Sequence, residues 1–422
     1  MSRSLLRLLF AAVVAAADSP SQAPTTVASP LPAGDGWRAE RIHTSDGGVW
    51  YAHIDKVVDA FGANEVIAGD DKGRLLVLSV YSGQWTAHSV VGDGLWLCPT
   101  RSVDVDARVP GREIYAGGRA GSVHCITLRP QPFARVQLES VEIGHAAGEE
   151  FHAVVAGDFV PGGNDELLAF GITGAVFWLT PVGEGHTFTM RQVATVPGRV
   201  RDVAVLPGAD GAPPLLYGVS RSGDLLAMRL SAGGLQHEVV LHEDCGLGRI
   251  AAARGRPGVL YVTRDDGVVV RVARDGDGRI GREVIFAGGQ GLRGVASGRF
   301  FADDREAVAV YGYDRTVHLI HRDTSGPWQV ATMLTTQQKG HWLAVGELDG
   351  RNGTDELVAT GFDGDIVLLA RPPGFGLPGA AVPTAERGEP ATAPHAPCCE
   401  PTRGSSTPGS GRCVVRAFRS TR

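Results

Sequence analysis

Short runs of apolar residues alternate with polar, glycine-containing segments along most of the 422-residue chain. The alternation forms a recurring unit: an apolar strand, a polar connection, a second strand, a tight turn with glycine or aspartate, and a third strand. Copies of this unit begin at Trp50, Arg101, Phe151, Arg201, Arg249, Arg293 and His341. Seven copies of one unit predict a repeat architecture rather than several unrelated domains.

The tight turn before the third strand gives the period of the repeat. It is marked by Gly73, Gly121, Gly174, Gly223, Gly267, Arg315 and Gly364. Successive markers lie 44 to 53 residues apart, which is typical of a β-propeller with four short strands in each blade. The uninterrupted apolar runs at 75–78 and 268–270 indicate strands that are buried on both faces, between neighbouring blades.

A fourth strand fits between the copies, for example at 85–92 and 236–243. One such strand, at 37–44, precedes the first copy, and none follows the seventh. We therefore predict that the strand at 37–44 completes the blade of the seventh copy, which avoids an unpaired sheet edge. The predicted fold is all-β: a seven-bladed β-propeller of four-stranded antiparallel blades, with disordered tails.

The two ends of the chain differ in composition from the repeats. Residues 1–17 combine two arginines with an apolar run and predict a signal peptide, with an uncleaved disordered terminus as the alternative. Residues 18–36 are rich in Pro, Ser, Thr and Ala and are interpreted as a linker. The propeller occupies 37–372, and the Pro/Gly/Ser-rich segment 373–422 is predicted to be a disordered tail. We expect a secreted or periplasmic protein without a membrane span, because no apolar run reaches 18 residues.

Charge and motifs argue against several classes of function. Lys and Arg total 40 against 46 Asp and Glu, a net charge of −6, so a broad basic surface for nucleic acid is not expected. The six cysteines include no C-x-x-C pair, which disfavours a zinc ribbon or a thioredoxin-type site. One disulfide among Cys98, Cys125 and Cys245 would suit an exported protein. The chain also lacks a G-x-S-x-G elbow and a Walker loop.

The residues that open the predicted inner strands form one column when the seven copies are aligned. They are Trp50, Arg101, His152, Arg201, Arg249, Arg293 and His341. Two residues further on, the column becomes apolar, with Ala52, Val103, Val154, Val203, Ala251, Val295 and Leu343. Because the inner strands of a propeller surround a central channel, we predict a polar rim at one mouth and an apolar wall within about 7 Å of it.

The polar column has the chemistry of an anion site. Arginine can hold a carboxylate or a sulfate through two parallel hydrogen bonds. Trp50, and Trp342 beside His341, offer flat faces on which a sugar can stack. Nearby arginine charges should lower the pKa of His152 and His341, so that a neutral imidazole can act as a general base. The structural alternative is a ring of arginines that caps the channel through water and backbone carbonyls.

The repeats resemble the integrin-like FG-GAP/VCBS propeller repeats. The loop D-G-R-N-G-T-D-E at 349–356 is similar to the D-x-D-G-x-x-D loop of that family, whose acidic side chains bind Ca²⁺. The resemblance implies a calcium site at Asp349 and Asp355. The carboxylate between these two residues is missing, and a plain polar turn is therefore the alternative.

A second resemblance is carried by the phrases HAVVAGDF, RVRDVAVLP and GRIAAARG. They are similar to the propeller part of fungal aldos-2-ulose dehydratase and its bacterial relatives. This resemblance implies that polar residues at the starts of the inner strands line the site of a sugar dehydratase.

Two functional hypotheses follow. The first is binding of a sugar or another anionic ligand, with lyase or dehydratase activity in which His152 and His341 transfer protons next to a carbonyl or carboxyl group. The residues expected to bind the substrate are Trp50, Arg101, Arg201, Arg249, Arg293 and Trp342. The second hypothesis is a non-catalytic binding or interaction protein of the FG-GAP/VCBS type, whose partner is a glycan or a protein.

Overall fold

The computed structural model describes residues 25–26 and 29–371, apart from short internal stretches at 35, 60, 82, 93–95, 110, 133–134, 162–164, 184–185, 209–211, 275–278, 289–290, 324–325 and 349–352. The predicted signal peptide, the predicted C-terminal tail and Asp349 of the predicted calcium loop lie outside the described residues.

The described residues form seven antiparallel sheets, and each sheet is one blade. Three strands precede the first repeat: β1 (Thr25–Thr26), β2 (Ser29–Leu31) and β3 (Arg38–Thr44). Blade 1 contains β4 (Val49–Asp55), β5 (Glu65–Asp70), β6 (Arg74–Tyr81) and β7 (Gln84–Val91). Blade 2 contains β8 (Leu97–Pro99), β9 (Ile114–Gly118), β10 (Ser122–Gln131) and β11 (Arg135–His145). Blade 3 contains β12 (Phe151–Gly157), β13 (Glu166–Gly171), β14 (Ala175–Pro181) and β15 (Phe188–Thr195).

The remaining blades repeat this order. Blade 4 contains β16 (Val200–Leu206), β17 (Leu215–Ser220), β18 (Asp224–Ser231) and β19 (Gly234–His242). Blade 5 contains β20 (Leu247–Ala252), β21 (Val259–Arg264), β22 (Val268–Arg274) and β23 (Ile280–Ala287). Blade 6 contains β24 (Gly294–Ser297), β25 (Glu306–Tyr311), β26 (Thr316–Arg322) and β27 (Gln329–Thr335). Blade 7 contains β28 (Gly340–Gly346), β29 (Glu356–Gly361) and β30 (Asp365–Ala370).

The seventh blade is completed by the N-terminal strand β3, which pairs antiparallel with β30 from Arg38↔Ala370 to Thr44↔Asp365. The seven-bladed, four-stranded fold and its closure by the strand at 37–44 are therefore confirmed. Two short strands, β1 and β2, lie within residues 18–36, the range predicted as a linker. There β2 adds to the outer edge of β3, and β1 adds to the outer edge of β7.

The core consists of apolar layers between neighbouring blades. Every residue of β5, β13 and β29 is buried, because each of these strands is covered by a blade on both sides. One layer joins Ile42 and Val358 of blade 7 to Val66 and Leu78 of blade 1. Burial on both faces explains the uninterrupted apolar runs of the sequence. No helix among the described residues is long and apolar enough to cross a membrane.

The marker turns share a left-handed backbone conformation. Gly73, Gly121, Gly174, Gly223, Gly267 and Gly364 have φ between 73° and 96°. The seventh marker, Arg315, has φ 64° although it carries a side chain. At Gly223 a Cβ atom would also lie 2.1 Å from the carbonyl oxygen of Glu243. Glycine is thus required at the turn by both conformation and space, whereas Arg315 pays a conformational cost.

Exchanging residues at these turns should change stability in opposite directions. We expect Gly223→Ala to lower the free energy of unfolding by about 1–2 kcal/mol or more, because it adds left-handed strain and a backbone clash. Arg315→Gly should leave stability unchanged or raise it, because the strain is removed. Thermal unfolding measures both. Gly233→Ala is the matched control, because Gly233 has no positive φ and its nearest neighbouring atom is 3.8 Å from the Cβ position. A loss of stability in Gly233→Ala equal to that in Gly223→Ala would contradict this explanation.

A glutamate at the start of the second strand ties down the preceding loop in several blades. It stands eight residues before the marker at Glu65, Glu113, Glu166 and Glu356. The Glu65 carboxylate accepts the backbone N–H of Val57 at 2.8 Å, and that of Glu166 accepts the N–H of Phe159 at 2.6 Å. Burial outweighs these hydrogen bonds and raises the pKa of Glu65 and that of Glu113 to about 7.

The raised pKa of Glu65 predicts a loss of stability as pH increases. The folded protein favours the protonated carboxyl, so the stabilisation is complete below the ordinary pKa near 4.5 and is lost as pH rises through about 7. Glu65→Gln keeps the acceptor oxygen without the ionisation. We therefore expect the thermal unfolding midpoint of Glu65→Gln to rise relative to that of the wild type as the pH increases from 5 to 8. Glu139→Gln, at an exposed position, is the control, and parallel pH curves for wild type and Glu65→Gln would refute the prediction.

Candidate functional site

The inner strands start at one end of the central channel, which we call the proximal mouth, and finish at the distal mouth. Six of the seven residues in the predicted polar column lie at the proximal mouth: Trp50, His152, Arg201, Arg249, Arg293 and His341. In five blades the register between the inner strand and the second strand shifts at the column residue. Examples are the shift between Val49 and Tyr51, at Trp50, and the shift between Phe151 and Ala153, at His152. Such β-bulges redirect a single side chain out of the regular alternation.

The prediction that Arg101 opens the second inner strand is wrong. Strand β8 covers only Leu97–Pro99, and its pairing of Cys98 with Gly117 matches the pairing of Tyr51 with Gly69 in blade 1. Arg101 therefore follows the strand, about 13 Å further along the channel at the rise of extended chain. Its Nη1 donates to the carbonyl of Ile54 at 3.1 Å. The corresponding prediction for Val103 fails for the same reason.

Trp96 occupies the place in the proximal mouth that Arg101 was expected to fill. Its ring stacks on Trp50 with 6.4 Å between centroids and lies 4.5 Å from the ring of His152. Trp96 thus joins the first and third blades across the short inner strand of the second. A sequence signal for this residue exists: Trp96 is a tryptophan directly before β8, just as Trp50 is a tryptophan near the start of β4.

An aromatic cluster forms one half of the mouth. The ring of His341 stacks on Trp50 at 4.9 Å and meets Phe362 edge-on at 5.4 Å. Trp342 lies 4.9 Å from Tyr51. His341 Nδ1 is 2.8 Å from the carbonyl oxygen of Trp50, so Nδ1 must carry the proton and Nε2 is the unprotonated nitrogen of the neutral ring. Burial, followed by the Arg249 charge, places the pKa of His341 well below its usual range.

His152 is held in the opposite tautomer. Nη2 of Arg199 donates to His152 Nδ1 at 2.6 Å, so the proton of the neutral ring is on Nε2. Burial, followed by the charges of Arg199 and Arg249, lowers the pKa of His152 to about 2. A lowered pKa was predicted for both histidines from nearby arginines, and the direction is the same in the structure, but burial contributes more than the arginine charges. His152 is therefore a hydrogen-bond donor at neutral pH, not the proton acceptor that the sequence suggested.

Arginines form the other half of the mouth. Arg201 and Arg293 both bind the carboxylate of Asp265, and Arg201 also donates to the carbonyl of Leu247 at 2.8 Å. Arg249 is 6% exposed and donates to the carbonyl of Arg201 at 3.1 Å. Its guanidinium lies 4.9 Å from the centroid of the Trp342 ring.

Four buried donors at this mouth have no hydrogen-bond acceptor within the described part of the chain: Nε1 of Trp50, Nε2 of His152, Nε of Arg199 and Nε of Arg249. The nearest carboxylate to His152 Nε2 is Glu150, at 3.5 Å, which is beyond a good hydrogen bond. Buried donors without acceptors are costly. A ligand with several acceptor oxygens is the kind of group that such donors require.

A cavity of about 420 Å³ fills the channel behind the mouth. Its wall contains six of the predicted apolar residues, Ala52, Val154, Val203, Ala251, Val295 and Leu343. His152, Trp342 and Asp202 line it as well. Burial raises the pKa of Asp202 to about 6, against the opposing Arg249 charge. Asp202 was not predicted from the sequence, because the aligned polar column contains Arg201, the residue before it.

Asp355 is the described residue of the predicted calcium loop. Its buried carboxylate accepts the backbone N–H of Arg299 at 2.6 Å and pairs with Arg254 at 3.1 Å. Within the described residues no group of three or more His, Cys, Asp or Glu side chains could hold a metal ion. No disulfide joins Cys98, Cys125 and Cys245.

Comparisons with known proteins agree on the fold. No protein-family model matches the chain, and no curated protein matches it. Among solved structures, BBS1N in complex with ARL6DN is similar with a TM-score of 0.55 and 14% identity over 83% of this chain and 99% of that one. The WD40 propeller domain of Doa1 gives 0.52 and 13% over 82% and 97%. The propeller domain of Cps50 (Swd1) from Myceliophteria thermophila gives 0.53 and 11% over 78% and 98%. At these identities the similarity shows the β-propeller fold alone.

Proposed function

We propose that the protein binds an anionic sugar, such as a sugar carboxylate, at the proximal mouth. The observation that carries this proposal is the set of four buried donors without acceptors, on Trp50, His152, Arg199 and Arg249. Two of them belong to guanidinium groups, which remain charged at neutral pH. A carboxylate would supply the missing acceptors and compensate the excess positive charge.

The aromatic half of the mouth supports a sugar rather than a small inorganic anion. Trp50 is partly exposed, and Trp342 lines the cavity. Flat aromatic faces beside charged donors suit a ligand with one apolar and one polar side. The similarity of the phrases around His152 and Arg201 to the sugar dehydratase propeller gives the same ligand class. We also retain export as part of the proposal, on the composition of residues 1–17.

Binding should depend on Arg199 and not on Arg101. We expect Arg199→Met to weaken binding of galacturonate or glucuronate by about tenfold or more, because one charge-assisted hydrogen bond is lost. Arg101→Met, near the distal mouth, is the matched control and should change the affinity less than twofold. Isothermal titration calorimetry measures the affinity, and thermal unfolding verifies that each variant is folded. Equal effects of the two substitutions, or no binding of any sugar acid by the wild type, would overturn the proposal.

Elimination chemistry is a second candidate, favoured by the opposite tautomers of the two histidines. His341 Nε2 is free of a proton and could take one from the carbon next to a sugar carboxylate. As the carbon–carbon double bond forms, the β-oxygen would leave with a proton from solvent. His152 Nε2–H and Arg249 would stabilise the enolate-like charge on the carboxylate.

This candidate predicts an unsaturated product that absorbs ultraviolet light. His341→Gln should reduce its formation at least about a hundredfold, because a general base typically contributes that much, and should leave sugar binding nearly unchanged. His237→Gln, on the exposed strand β19, is the control. If the wild-type protein binds uronates and uronans but forms no product from any of them, the protein is a non-catalytic binding protein.

A protein partner is the alternative to a sugar ligand. The precedent is the similar BBS1N propeller, which was solved in complex with ARL6DN.

A further inference from the structure

A row of aromatic side chains leads away from the proximal mouth over the surface of two blades. Phe362 lies 5.8 Å from Trp50, and Tyr313 lies 5.6 Å from Phe362, measured between ring centroids. We call Trp50, Phe362 and Tyr313 the aromatic strip. It runs from blade 1 across the marker turns of blades 7 and 6.

The strip is confined to one side of the mouth. Phe362 and Tyr313 both stand two residues before the marker of their turn. The equivalent residues of the other five turns are Asp71, Arg119, Ile172, Arg221 and Asp265. The repeat itself therefore does not require an aromatic residue at this position. The aromatic turns are confined to blades 6 and 7, so the strip extends from the mouth toward these two blades.

Tyr313 is held in place although it is 36% exposed. Its ring lies against Gly291, where a Cβ atom would be only 2.5 Å from Tyr313 Cδ2. The neighbouring Phe362 is fixed through its backbone N–H, which donates to the carbonyl of Lys339 at 3.1 Å. A supported and exposed ring loses little conformational freedom when a ligand stacks on it.

Positive charges flank the far end of the strip. The Arg293 guanidinium is 5.5 Å and the Lys339 ammonium 5.4 Å from the centroid of the Tyr313 ring. Arg293 is paired with Asp265, whereas Lys339 forms no ion pair with any described residue and is exposed. The end of the strip thus offers a second position where an acidic group is attracted.

We infer that the ligand is an acidic oligosaccharide, with one sugar acid in the mouth and following units along the aromatic strip toward Lys339. The inference rests on the proposed function, and it adds the length and direction of the ligand. A single sugar ring contacts one aromatic face and cannot cover three rings in a row. Repeated acidic units match two cationic positions separated by aromatic rings better than an acidic peptide does, because a peptide of acidic residues has no ring to place against them.

The test compares galacturonate with its trimer by isothermal titration calorimetry. We expect the trimer to bind more tightly than the monomer to the wild type. Tyr313→Ala should weaken binding of the trimer about three- to tenfold and leave binding of the monomer unchanged. Tyr81→Ala is the matched control, because Tyr81 is also exposed but ends β6 on the opposite face. An uncharged trimer, cellotriose, and poly-glutamate serve as additional probes.

The outcomes separate this inference from the proposed function. Equal affinity for monomer and trimer, or no effect of Tyr313→Ala on the trimer, overturns the oligosaccharide inference and leaves the sugar-acid site intact. Absence of binding by monomer and trimer alike overturns both. Binding of poly-glutamate that weakens equally in Tyr313→Ala identifies an acidic peptide ligand and overturns the inference. Tight binding of cellotriose overturns the requirement for acidic groups.

Discussion

The hydrogen bonds between β3 and β30 close the ring of blades, and the proximal mouth depends on that closure. Trp50 belongs to the first blade and His341 to the last, 291 residues further along the chain, yet His341 Nδ1 binds the carbonyl of Trp50 at 2.8 Å. This contact exists only when the first and seventh blades pack against each other. The N-terminal strand closes the ring at a modest entropic cost, because the cost of closing a loop grows only slowly with its length. It also pairs the edge of β30, which would otherwise be open.

The sequence predicts the number of blades and the apolar channel wall because both follow from local chemistry. Glycine at Gly73 or Gly223 is required by a positive φ, so the markers appear at a constant place in each unit. The failure in blade 2 has an equally local cause. The segment 101–105 resembles 201–205 in its pattern of residues, whereas the true inner strand is only three residues long and ends at Pro99. Beyond Pro99 the Thr100 N–H still donates to the Tyr115 carbonyl, but the Tyr115 N–H donates to the Thr100 side chain instead of a backbone carbonyl, so the regular ladder stops.

The chemistry of the mouth could be predicted only in outline. The types of residue in the column indicated neutral histidines and an anion site, but the tautomers depend on two contacts that have no sequence signal. One is the carbonyl of Trp50 beside His341, and the other is Arg199 beside His152. Both contacts join different blades, so no reading of a single repeat reveals them. They give the two histidines opposite roles, one as an acceptor and one as a donor.

The distribution of charge around the mouth favours a ligand over a cap. Asp265 pairs with both Arg201 and Arg293, and backbone carbonyls satisfy part of Arg249. Arginines that only capped the channel would require no more than these contacts. However, no carboxylate among the described residues forms an ion pair with Arg249 or with Arg199, and both keep a buried donor without an acceptor. Burying such groups costs more than burying an apolar plug of the same size. The uncompensated donors lie beside the aromatic rings of the same mouth, where an anionic sugar would both pair the charges and cover the rings.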